Sequence, residues 1–73
     1  MNRRFTAIIE REDEGFVALC PELDIASQGE SIAEARANLG EAIELFFETA
    51  SSFEIERRTK GEIYVTQIAV GVA

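Results

Sequence analysis

Apolar and polar positions alternate from Arg4 to Arg11, with Phe5, Ala7 and Ile9 on one side and Thr6, Ile8 and Glu10 on the other. A period of two is the signature of a strand. Glu12-Asp13-Glu14-Gly15 then makes a polar turn with a glycine available for positive φ, which predicts a hairpin. Phe16 to Cys20 is apolar at every position and predicts a second strand covered on both faces. Pro21 stops it, because proline has no N–H to give to a ladder. Ile25 to Gln28 predicts a short third strand, closed by Gly29. At Ser31 the period changes. Ser31-Ile32-Ala33-Glu34 has the form of a capping box, in which the serine accepts from the Glu34 amide and Glu34 reaches back to the Ser31 amide. Ile32, Ala35, Leu39, Ala42, Ile43, Phe46 and Ala50 then recur every three or four residues, which predicts an amphipathic helix up to Ala50. Ser51 to Gly61 reads as a polar connection in which Phe53 and Ile55 either prolong the helix or tuck into the core. Glu62 to Val70, rich in β-branched and aromatic residues, predicts the last strand.

The predicted order is β-β-β-α-β, an α+β fold in a single domain spanning residues 1–73. A helix between the third and fourth strands acts as a right-handed crossover, so the last strand runs parallel to a neighbour in a mixed four-stranded sheet. The expected arrangement is a three-strand meander with the fourth strand beside the first and the helix on one side; the alternation permits either face for the helix. One helix covers one face only. Ile8, Val17 and Leu19, or their alternates, then look out from the other face, an apolar patch that a second chain is expected to cover.

Composition removes several classes of function. Cys20 is the one cysteine and no histidine is present, so intrachain disulfides, Cys-His catalysis and His-containing zinc sites are excluded. Within the apolar run, Cys20 reads as a buried, inert thiol. A metal-dependent nuclease needs several carboxylates converging on its ions. Glu10, Glu12, Glu22 and Asp24 are the only cluster near strand ends, and in so acidic a chain they read first as solvated turn residues, so neither catalysis nor a metal or cofactor is expected. No signal peptide follows Met1-Asn2-Arg3-Arg4-Phe5, and charges interrupt the helix too often for a membrane span, so a cytoplasmic protein is expected. Fourteen acidic against seven basic residues give a formal net charge of −7, which disfavours direct nucleic-acid binding and favours either a basic partner or plain solubility.

Opposite the helix's apolar stripe, Glu34, Asn38, Glu41, Glu44 and Glu48 gather around Leu45, with Ala33, Ala37 and Gly40 as a flanking strip of small residues beside Phe47. Glu34 and Glu48 read as ordinary solvated positions. Glu41, Glu44 and Leu45 are the candidate partner-binding residues. Gly40 costs about 1 kcal/mol of helix propensity relative to alanine, and close approach by another chain would account for it. Ile8, Val17, Leu19, Ala37 and Gly40 are therefore the candidate oligomer contacts. Arg57, Arg58 and Lys60 read as loop solvation or surface pairing with Glu54, Glu56 or Glu62 rather than as a nucleic-acid patch.

Several of these stretches, in this order, resemble the HicB-like antitoxin family: Phe5-Thr6-Ala7-Ile8-Ile9-Glu10, Gly15-Phe16-Val17-Ala18, Cys20-Pro21-Glu22-Leu23, Ser27 through Ala35, and Asn38-Leu39-Gly40-Glu41-Ala42-Ile43. The series covers most of residues 4–50. The resemblance implies a partly degraded ribonuclease-H-like fold and a binding role: neutralising a small basic HicA-type toxin that cleaves messenger RNA, by covering its active surface. Many members carry a DNA-binding segment after this region; the present sequence stops at Ala73, so autorepression through this chain is not expected. Where the family often has proline and glycine after Pro-Glu-Leu, this chain has Asp24-Ile25, which predicts an altered turn. Orphan short members also exist, so the alternative expectation is a homo-oligomeric structural or ligand-binding protein, dimer or tetramer, without a toxin.

Overall fold

The computed structural model describes residues 3–73; Met1 and Asn2, where the reading of the chain's start begins, lie outside the described residues. Strands β1 (Ile8–Glu12), β2 (Gly15–Cys20) and β3 (Ile25–Gly29) form an antiparallel sheet in the order β1-β2-β3, followed by helices α1 (Ile32–Thr49) and α2 (Ser52–Thr59). The fold is α+β. The register pairs Ile9 with Ala18 and Ala18 with Ser27, so the meander is the one the alternation predicts.

One close approach and two left-handed residues shape the turns. Glu12 pairs with Gly15 across the two-residue loop Asp13-Glu14, and it is Asp13, not Gly15, that takes positive φ (52°). Aspartate tolerates this region better than most residues because its short side chain bonds locally. Gly15 serves another purpose: a Cβ there would lie 2.9 Å from the Gly29 carbonyl oxygen. Asp24 also has positive φ (55°), which a proline at that position, locked near −65°, does not adopt. The turn after Pro21-Glu22-Leu23 thus takes a backbone conformation closed to proline at Asp24.

Helix α1 packs over one sheet face, and the core is Ala18 and Cys20 from β2, Leu23 from the following turn, and Ala35 and Leu39 from α1. Phe5, Ile9, Phe16, Ile25, Ile43, Phe46 and Phe47 pack around it. The helix therefore covers the side of Ile9, Ala18 and Cys20. Small side chains at the contact let helix and sheet approach closely. At Gly29 the approach is closest, since a Cβ would sit 2.5 Å from the Ala35 amide nitrogen. The α1 cap forms with one change from expectation: Ser31 Oγ accepts from the Glu34 amide at 3.0 Å, but the Glu34 carboxylate accepts from the Glu30 amide, one residue earlier than Ser31. Asn38, expected on the polar face, is half-buried and donates to the Gln28 carbonyl at 2.8 Å. It ties α1 to the outer edge of β3.

Two expectations are corrected. The connection Ser51–Gly61 contains α2, whose N-terminus is capped by Ser51 accepting from the Glu54 amide at 3.1 Å. The capping signal Ser51-x-x-Glu54 was present in the sequence; the charges obscured it. Arg58 anchors α2: it donates to the Leu23 carbonyl at 2.7 Å, pairs with Glu54 at 2.9 Å and lies 5.4 Å from the Phe46 ring centre. Arg57 pairs with the same carboxylate.

The second correction concerns Glu62–Val70. It is not a strand of this sheet, so the described residues form a three-stranded antiparallel sheet rather than a mixed four-stranded one. β-branched composition reports fit to a pleated, half-buried surface rather than a backbone preference, and here the segment pairs with no edge of the sheet. Ile63, Tyr64, Val65, Ile68, Val70 and Val72 are all exposed. The radius of gyration, 14.4 Å, exceeds the roughly 11 Å expected of a compact chain this long.

Gly29→Ala is expected to destabilise the fold by about 1–3 kcal/mol, because the obstacle is helix backbone rather than a movable side chain; urea unfolding followed by circular dichroism measures it. Arg58→Ala is expected to raise amide exchange across Ser52–Thr59 roughly tenfold, with the β2 amides unchanged.

Candidate interaction surface

The two uncovered parts of the sheet region have different chemistry. On the face away from α1, Ile8 stands beside Leu19 and Leu19 beside Ala26, while Glu10 stands beside Val17 and Val17 beside Gln28. Ile8 and Ala26 are exposed, Val17 and Leu19 half-buried. This is an apolar strip bordered by Glu10, Glu12 and Gln28. The second strand is therefore covered on one face only, contrary to the reading of its continuous apolar run.

A groove of about 380 Å³ runs between α1 and the N-terminal stretch preceding β1. Arg36, Ala37, Gly40 and Glu44 form the helix wall, Arg3 and Thr6 the opposite wall, and Phe5, Ala7, Leu39 and Ile43 the apolar lining. A Cβ at Gly40 would meet nothing within 4 Å, so no contact within the described chain requires glycine there. Phe5 is held by the Arg3 guanidinium, 5.5 Å from its ring centre, and by Phe47 at 5.7 Å.

The candidate residues from the sequence thus separate. Ile8, Val17 and Leu19 lie on the open sheet face, whereas Ala37 and Gly40 lie on the groove together with Glu44. Glu41 and Leu45 are exposed on α1 but do not line the groove, and Leu45 retains 57% of its surface. At about 100° per residue, Leu45 falls on the Asn38 flank of the helix, across from Gly40.

Glu22 carries a role the sequence reading did not find. Both of its carboxylate oxygens accept from the Thr6 amide at 3.1 Å, one accepts from the Thr6 hydroxyl at 2.6 Å, and the other from the Cys20 thiol at 3.4 Å. The carboxylate fastens the groove's outer wall to the turn after β2. Burial alone would raise the Glu22 carboxyl, but donation from the Thr6 hydroxyl, the Glu22 and Thr6 amides and the thiol outweighs it and holds the group below the ordinary range. Burial first, with the Glu22 carboxylate adding to it, pushes the Cys20 thiol up, as an inert thiol requires. The available signal was local: a carboxylate between the core residues Cys20 and Leu23 needs donors.

A second hollow, about 470 Å³, lies at the hairpin end, where Glu12, Asp13 and Glu14 face Glu30 and Glu34 over Phe16 and Val17. Among the described residues, no three Cys, His, Asp or Glu side chains are grouped to hold a metal ion. Glu22, one of the four carboxylates weighed for such a cluster, is engaged with Thr6 instead. No described helix is long and apolar enough to cross a membrane.

The chain is 52% identical over 50 residues to the UPF0150 protein ssl0738 of Synechocystis sp., a match covering 66% of this chain and 69% of that protein. The chain belongs to the UPF0150 family. No protein-family model matches it, and no solved structure matches it. The family name specifies no ligand or activity, so for this UPF0150 chain the chemistry of the surfaces carries the functional reading.

Glu22→Ala is expected to lower stability by about 1 kcal/mol at neutral pH, since the donors it leaves are only partly buried. The folded carboxyl is lowered, so this contribution is present above the unfolded glutamate value, about 4.3, and fades as pH falls through the lower folded value. Urea midpoints of wild type and variant should accordingly converge on the acid side, as pH falls below about 4.3 in a titration series.

Proposed function

We propose that this UPF0150 chain is an antitoxin-like module of the HicB type, which binds a small basic HicA-type mRNA-cleaving toxin and covers its active surface. It works by binding rather than catalysis. The observation that carries this reading is the ordered series of HicB-like stretches from Phe5 to Ile43, which includes Cys20-Pro21-Glu22-Leu23 and Gly29-Glu30-Ser31-Ile32-Ala33-Glu34-Ala35. In this fold those two stretches make the Glu22–Thr6 clasp and the close approach of Gly29 to Ala35, so the resemblance falls on the residues that shape the scaffold. The partly degraded ribonuclease-H-like arrangement belongs to the same proposal.

Charge supports a basic partner. A formal charge of −7, exposed Glu41, Glu44 and Glu48 on α1, and five carboxylates around the hairpin hollow give a negative field that steers a cationic protein. Leu45, exposed amid these charges, supplies an apolar contact of the kind that anchors an interface.

A second reading, a homo-oligomeric protein without a toxin, is favoured by one specific feature: the uncovered apolar segment after α2. Such a surface calls for company of some kind.

Co-expression separates the two. With the antitoxin reading, this chain restores growth to cells making a small basic HicA-type toxin and co-purifies with it; absence of both rescue and complex removes the reading. Reversing Glu41 and Glu44 to lysine is expected to slow association about tenfold at low salt and to flatten its salt dependence, as measured by stopped-flow or surface plasmon resonance.

A further inference from the structure

After α2 the described residues run through an unpaired segment with the composition of a strand, and the sheet has an edge without a partner. Residues 63–73 contain no charged side chain in a protein of formal charge −7. Within them Tyr64, Ile68, Val70 and Val72 occupy alternate positions and retain 72–91% of their surface, whereas Ile63 and Val65 on the other side retain 46% and 59%. In extended backbone the even-numbered set shares one face. It is the face with the most apolar surface left to bury.

The two sheet edges are not equivalent. On β3, Asn38 occupies the Gln28 carbonyl, and Gly29 is pressed beneath the Ala35 amide. On β1 no described element pairs with the outer backbone groups. The groove lined by Phe5, Ala7 and Ile43 lies between α1 and the stretch that leads into β1, and Gly40 leaves its rim open.

We propose that residues Ile63–Val70 of one copy add as a fourth strand to the β1 edge of a second copy, with Tyr64, Ile68 and Val70 turned into the groove beside α1. The second copy returns the same segment. Reciprocal exchange is an isologous contact that closes at two chains, and it uses both unpaired segments and both free edges. It also removes what would otherwise be an exposed apolar edge-seeking strand, an aggregation hazard.

Charge and direction favour a second copy over the alternatives. Two copies meeting through the open sheet faces would bring Glu10 and Glu12 of each against the other. The groove instead presents Arg3 and Arg36 beside Glu44 and receives an uncharged segment. The chain's own segment follows α2, which Arg58 holds to the Leu23 carbonyl, and it is exposed and unpaired in a molecule 50 Å long and 20 Å across its short axis. This inference concerns self-association and does not rest on the toxin reading.

The test uses the full chain without a partner. Sedimentation equilibrium at micromolar concentration is expected to give the mass of two chains. Isotope-filtered NMR on a mixture of labelled and unlabelled chains is expected to show contacts between residues 63–70 and 8–12 of different copies. I68K with V70K is expected to shift the mass to one chain while the core signals of Ala35 and Leu39 persist, which separates lost exchange from unfolding. A monomeric wild type overturns the proposal. So does a dimer insensitive to I68K with V70K, a dimer lacking these intermolecular contacts, or a segment found against β1 of its own chain. If the double variant fails to fold, the NMR contacts in the wild type decide alone.

Discussion

The arrangement depends on how closely α1 can lie on one face of β2. Ala18 and Cys20 on the strand meet Ala35 and Leu39 on the helix, and all four are removed from water. Three of these side chains are small. The contact therefore gains its free energy from close approach and exclusion of water over a short area rather than from large interlocking groups. Gly29 permits that approach by leaving out an atom that would collide with the helix backbone, and Gly15 lets β2 lie close to Gly29 of β3. Leu23, brought in by the left-handed turn at Asp24, closes the end of the core, and Phe5, Phe46 and Phe47 pack around it.

A core this small leaves polar links to fix the periphery. Glu22 holds the N-terminal stretch through Thr6, Asn38 holds the β3 edge through Gln28, and Arg58 holds α2 through Leu23. Each link is only partly shielded from water, so each contributes modestly. Their effect is geometric: together they leave β1 as the accessible edge and keep the groove beside it open. The same side chains that finish the fold thus define the surface on which a partner would act.

The acidic surface and the apolar segment after α2 make different demands. Negative charge around the hairpin and along α1 acts at long range and suits the approach of a cationic protein. The uncharged segment acts only at contact, where burying Ile68 and Val70 is favourable. The carboxylates at the hairpin end stand apart from the groove, whereas Glu44 belongs both to the acidic face of α1 and to the groove wall.

Local pattern alone determined the hairpin, the third strand, the capped amphipathic helix and the burial of Cys20, because each follows from a period or a cap written over a few neighbouring residues. The resemblance to HicB-like sequences and membership of UPF0150 also rest on sequence. The α2 cap was legible at Ser51 and Glu54 but was masked by the adjacent arginines. Tertiary structure decided which sheet face α1 covers, since alternation allows both. It also decided that Glu22 serves Thr6, that Asn38 turns inward, and that Ala37 and Gly40 part company with Ile8, Val17 and Leu19. The segment Glu62–Val70 shows the physical reason most plainly. Its residues fix what a strand there would bury, but pairing requires an edge contributed by residues far away in the sequence, and no local pattern can state whether that edge is offered.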